Sequence, residues 1–308
     1  MNKLPEWDGR TYYNEPQLRP APFNNALVGG YIFLAGLSGA AELLAALADF
    51  GRRPGAASIV RRGRYLAMLA PTPGTVCLIL DLHTPQRFYN MLRLIKSTSP
   101  MSLGSWGLVG FSASSVATAL LQFAADRLRF SWPRSVARFT QVPAALAGAF
   151  ISTYTASLLS STSTPSWAAA PKSLAVRFAS SALASAATAL GLGERNVVWR
   201  QDLDSIAIAA LAVEAAAALA SEHAARQMGA DDGPSKRAIE PMVLPLVLLL
   251  ASQLLPSRLG RAVSVLGSLG VLGGGLAMRV GVLARGDASA RQPHRSLRFA
   301  QPDNLPRA

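Results

Sequence analysis

Asp81, His83, Arg87, Arg93 and Lys96 crowd the segment between two apolar runs. Charge beside hydrocarbon is costly, so such a cluster marks a reaction site or a docking surface. A basic connector that snorkels its cations to lipid headgroups fits the same residues. Asp81 and His83 can take up and release protons, His83 with an ordinary pKa of about 6.5. Arg87, if it stands near Asp81, would hold that carboxylate ionised. Arg87, Arg93 and Lys96 are also suited to meeting acidic residues of a partner. Glu42 and Glu214 fall inside apolar runs, where a charge costs about 2.5 to 3.5 kcal/mol. Each must be protonated, paired or wet, and each reads either as part of a proton path or as one interhelical hydrogen bond.

The elements that must hold these groups are membrane helices. The chain has 308 residues, of which 50% are hydrophobic and only 15% charged, against about 25% charged in a soluble domain. Apolar runs of about 18 to 23 residues recur along it, which predicts an all-α, polytopic integral membrane protein. Eight transmembrane helices are expected, at about 26–48, 65–82, 102–125, 140–160, 174–192, 203–220, 239–255 and 263–283, arranged as two four-helix bundles. An extramembrane arm, 1–25, would carry Trp7, Tyr12 and Tyr13 at headgroup level. The transmembrane domain would fill 26–285, and a polar, basic tail 286–308. Pro71, Pro73, Pro241 and Pro245 interrupt the second and seventh helices, and Gly270 and Gly274 form a GxxxG contact in the eighth.

The connectors after helices one, three, five and seven carry more Arg and Lys than those after two, four and six. The positive-inside rule then places both termini and the 81–106 segment outside. No basic-then-apolar start precedes the first run, so that run reads as a retained helix.

The net charge of +13 does not point to nucleic acid, because no basic stripe with interleaved aromatics is present. Cys77 is the single cysteine, so this chain has neither a disulfide nor an iron–sulfur ligand set of its own. Three histidines, His83, His223 and His294, are too few for the four ligands of a dihaem cytochrome. No haem, metal or nucleotide site is expected in this chain.

The stretch DLHTPQRFYNML followed by SPMSLGSW resembles the signature loop of the NrfD-like membrane subunits of polysulfide and nitrite reductase complexes. YIFLAGLSGA (31–40), STYTASLLSSTSTPSW (152–167) and GLAMRVGVLARGDASARQP (275–293) are similar to further segments of that family. His83 stands where the family usually has Gly.

The resemblance implies a quinone- or quinol-reactive membrane anchor of a multi-subunit oxidoreductase. Its partners would be a ferredoxin-like iron–sulfur subunit and a molybdopterin catalytic subunit, and its exchangeable cofactor a quinone such as menaquinone. The location would be the cell membrane. In the family a quinol site lies among the first four helices and uses a helix-four Tyr and a helix-one Asn. Tyr154 matches the Tyr, and Asn24 or Asn25 the Asn. Tyr31, Arg87, Ser102 and Trp106 would line the site, with Tyr154, Asp81 and His83 nearest the chemistry. The family's helix-one His has no counterpart, which leaves open a purely structural anchor with a degenerate quinone site. A secondary transporter using the broken helices, Glu42 and Glu214 is a further alternative.

Overall fold

The computed structural model describes residues 15–93, 95–128, 132–230 and 236–301. Trp7, Tyr12 and Tyr13 of the expected arm lie outside the described residues. Among the described residues the chain is all helical. It comprises α1 (Asn25–Phe50), α2 (Ala57–Leu69), α3 (Pro71–Asp81), a 3-10 helix (Pro85–Leu92), α4 (Pro100–Leu128) and α5 (Trp132–Ser160). Then come the short α6 (Pro165–Ala168), α7 (Pro171–Leu192), α8 (Val197–Gln227), α9 (Lys236–Leu254), α10 (Ser257–Ala290) and α11 (Pro293–Phe299).

Six of these helices are long and apolar enough to cross a membrane: α1, α4, α5, α7, α8 and α10. The count rises to 7 if the bent pair formed by Ala57–Asp81 and Pro85–Leu92 is one span. Ile239–Leu254 is apolar but shorter. The eight equivalent spans expected from the sequence are therefore not all present as single long helices. In the second helix the cause is proline chemistry. Pro71 lacks a donor and divides the second helix after Ala70, whose own dihedrals stay helical. That helix also begins earlier than expected, so Arg61, Arg62 and Arg64 belong to α2 and not to a connector. The segment beginning at Gly286 is helical too. α10 continues to Ala290, and α11 buries Ser296 and Phe299.

Polarity is distributed as in a membrane protein. Large apolar side chains face outward, among them Leu120, Phe139, Leu146, Leu244 and Leu266. The interior holds Glu42, Gln141, Glu214 and Arg279, each at 2% exposure or less. Water would favour the reverse, whereas lipid tolerates ionisable groups only when they face the bundle interior.

Helix packing rests on small residues. Gly39 of α1 and Gly148 of α5 meet backbone to backbone, and a Cβ on Gly148 would stand 2.6 Å from the Gly39 carbonyl oxygen. On α10, Gly270 faces Pro245 and Gly274 faces the Pro241 carbonyl of α9, so the expected GxxxG contact is made against a proline-bearing helix. Contacts group α1 to α5 on one side and α7 to α10 on the other, with α1 touching α7 and α10 across the middle.

Candidate functional site

The sequence around α1 fixes one wall of the candidate site. Asn24 caps the helix, its Oδ1 accepting from the backbone N–H groups of Ala26 at 2.9 Å and Leu27 at 3.2 Å. The Asn24 backbone N–H donates to Asp81 Oδ1 at 2.7 Å. The start of α1 is thereby tied to the end of α3, where the signature segment begins. Asn24 thus acts as a cap, and its neighbour Asn25 turns elsewhere: Asn25 Nδ2 donates to Asp287 Oδ2 of α10 at 2.9 Å. One turn and a half further along α1, Tyr31 is buried.

The second group of candidate residues comes from α4 and α5. The SPMS residues build the α4 start: the Lys96 backbone N–H donates to Ser102 Oγ at 3.0 Å, and the Ser102 N–H donates to Ser99 Oγ at 3.4 Å. Within the first two turns of α4, the glycines of the LGSWG stretch receive aromatic rings. Gly104 lies against Tyr154 of α5 so closely that a Cβ there would overlap the phenol. Gly107 receives Phe150, which stacks on Tyr154 with ring centroids 5.6 Å apart.

Tyr31 and Tyr154, each 9% exposed, stand within electrostatic reach of each other. Among the described residues neither phenol hydroxyl has a hydrogen-bond partner. Each hydroxyl is thus left free to donate to, or accept from, a ligand oxygen.

Asp81 is half-buried and makes no ion pair with Arg87 among the described residues. His83, Arg87, Arg93 and Lys96 are all exposed. The 3-10 helix turns 110° away from the preceding helix and leaves Phe88, Tyr89 and Leu92 exposed, with Ile95 beyond it. Trp106 is also partly exposed, at 37%. The structure therefore joins Asn24 to Asp81 and Gly104 to Tyr154. It leaves His83 and the three cations on a separate, outward-facing surface.

The two interior carboxylates lie in different networks. Glu42 is fully buried, and neither of its oxygens has a hydrogen-bond partner. Arg64 supplies opposite charge to it. Arg64 itself binds Gln122 Oε1 at 2.5 Å, Asp49 Oδ2 at 3.0 Å and Gln141 Oε1. Glu214 lies near Ser181 and in the field of Arg279 and Arg177. Arg279 donates through Nη1 to Gly275 O at 2.9 Å and Ser181 Oγ at 3.1 Å, and through Nη2 to Phe178 O at 3.3 Å. Its guanidinium also lies 5.6 Å from the ring centroids of Phe33 and Phe178. Nearer the helix ends, Glu222 pairs with Arg285 and Arg226, each at 3.4 Å.

Sequence reasoning passed over Arg64, Arg177 and Arg279. The signal was available, since Arg177 and Arg279 interrupt otherwise apolar stretches and a membrane helix carries an arginine only where a partner meets it. Among the described residues no cluster of three or more His, Cys, Asp or Glu could hold a metal ion.

The fold and the buried polar interior define a helical membrane protein whose signature segment links α1, α4 and α5. The family model for polysulphide reductase, NrfD, matches residues 16–219. That covers more than half of the chain, and the chain belongs to this family. No curated protein matches it.

Proposed function

We propose that this chain is the quinol-reactive membrane anchor of a multi-subunit molybdenum and iron–sulfur oxidoreductase, located in the cell membrane. The observation that carries the reading is the pair of largely buried tyrosines, Tyr31 and Tyr154, the second packed on the signature glycine Gly104. A quinone carbonyl is an acceptor of the kind these hydroxyls lack. Asp81, half-buried at the rim, takes the proton released on quinol oxidation, and exposed His83 passes it to water. Arg87, Ser102 and Trp106 edge the approach from the α4 side. The outward surface of Arg87, Arg93 and Lys96 receives a ferredoxin-like iron–sulfur subunit, which relays electrons to or from a molybdopterin subunit. Glu42 and Glu214 belong to interior proton-accessible networks.

In this reading the membrane domain, 26–285, crosses eight times, with Ala57–Asp81 as the second span and α9 as the seventh. About 25 residues of helix measure roughly 37 Å, enough for the hydrocarbon core despite the break at Ala70. The arm 1–25 and the tail 286–308 lie on the same side as the signature segment.

A structural anchor without quinol turnover is the second reading. It is favoured by the separation of Arg87 from Asp81, which leaves the carboxylate without a cationic partner among the described residues. A photoreactive menaquinone analogue separates the two. Under the quinol-site reading it labels peptides containing Tyr31, Gly104 or Tyr154, and unlabelled menaquinol competes. Labelling confined to the outer faces of α9 and α10 contradicts it.

A further inference from the structure

We propose that the arginine-rich end of the bundle, opposite the signature segment, holds a binding site for the phosphate headgroup of an anionic phospholipid. A cleft of about 850 Å³ opens there between the α1–α2 turn, α2, α4 and the start of α5. That size falls within the roughly 300 to 1,000 Å³ of ligand sites. Its lining carries six arginines against two aspartates, Asp49 and Asp126.

The charges do not cancel. Asp49 is already shared, accepting from Arg64 at 3.0 Å and bidentately from Arg138 at 2.8 to 3.1 Å. Arg53 is turned to Asp202 at 2.9 Å and to the Trp199 ring. Asp126 accepts from Gln122 at 2.9 Å. Arg52, Arg61 and Arg134 have no carboxylate within ion-pair distance among the described residues. Arg64 lines the same cleft at 2% exposure, and its buried Nε has no hydrogen-bond partner. Three uncompensated guanidinium groups around a buried, incompletely satisfied fourth fit a phosphate diester, since guanidinium forks match phosphate oxygens in geometry and charge.

The surroundings identify a lipid as the source of that phosphate. At this end the outer faces of α4 and α5 expose Phe123, Trp132 and Phe139, the last at 80%. These apolar surfaces suit acyl chains, with Trp132 at headgroup level. Basic pockets between membrane helices bind such headgroups, and each nearby cation contributes to the attraction.

The test uses the full chain, delipidated in neutral detergent and read by native mass spectrometry. Diphosphatidylglycerol is titrated beside phosphatidylcholine of equal chain length. Wild type should retain the anionic lipid at least about tenfold better, and R52Q/R61Q/R134Q should lose most of that preference. If the triple variant does not fold, R61Q and R134Q singly should each weaken retention about two- to fivefold. Equal retention of both lipids, or a folded triple variant that binds as wild type, overturns the proposal. Displacement of the lipid by millimolar inorganic phosphate assigns the cleft to a soluble anion and overturns the lipid assignment.

Discussion

Gly104 of α4 lies directly on the phenol of Tyr154 in α5, leaving no room for a side chain. The signature segment therefore acts on the candidate site through packing as well as through its charges. Gly104→Ala should force Tyr154 out of its position, at an overpacking cost of about 1 to 3 kcal/mol. Denaturant unfolding in mixed micelles should report that loss. Gly110→Ala is the control, since a Cβ there meets nothing within 4 Å, and it should not lower stability.

Asp81 accepts the Asn24 backbone N–H through one oxygen. Asp81→Asn keeps an acceptor there while removing the proton acceptor. The assembled complex should persist, and quinol-linked turnover should fall by roughly 10²-fold, the contribution expected of a positioned acid or base. Co-purification and turnover measured on the same preparation separate the two effects.

Arg279 is wholly buried; its Nη atoms donate to Ser181, Gly275 and Phe178, its Nε has no partner, and Glu214 supplies opposite charge. Arg279→Met should destabilise the protein by about 3 kcal/mol or more, because Glu214 then loses a buried cation. Adding Glu214→Gln should recover part of that loss. Unfolding curves of the two singles and the double give the coupling directly.

Glu194, in the turn after α7, has a titration that can be followed outside the membrane spans. Burial pushes its carboxyl up. The Asn196 N–H, the Ser58 hydroxyl, the Arg195 N–H and the Arg62 charge together outweigh burial and hold it below the usual range. A depressed carboxylate contributes stability that is complete above the unfolded pKa of about 4.3 and is lost as pH falls through the folded value. Thermal unfolding from pH 6 down to 3 should show this acid loss in wild type and less of it in Glu194→Gln.

Membrane sidedness is testable at two exposed residues. With Cys77 replaced by Ser, Ser97→Cys beside the signature loop should react with an impermeant maleimide in intact cells. Arg195→Cys at the other end should react only after lysis. Ser58 is a poorer reporter, since its hydroxyl is bound to Glu194 at 2.8 Å.

Much of the helical layout was legible because apolar run length and proline position are strong local signals. α1, α4, α7 and α8 fall where the runs lie and extend beyond them, with Asn24 and Asn196 capping the starts of α1 and α8. The second helix was misjudged at its start: Arg61, Arg62 and Arg64 look like a connector, yet Arg64 can enter the bundle because Asp49, Gln122 and Gln141 meet it there. Those partners are far apart in sequence, so no local pattern announces them. Tyr154 and Gly104 were each readable as motif residues, but their contact depends on how α4 crosses α5. The outward turn of His83 and Arg87 likewise follows from the 110° bend after α3, which composition does not encode.

The most direct test of the account is quinol-linked turnover by the assembled complex carrying Tyr154→Phe. The ring and its stacking on Phe150 remain, and only the hydroxyl is removed. The account predicts an intact complex whose turnover with a menaquinol analogue falls at least about tenfold, corresponding to the loss of one reactive-complex hydrogen bond of about 1.4 kcal/mol. Turnover equal to wild type in an equally assembled complex would contradict a quinol site at Tyr154.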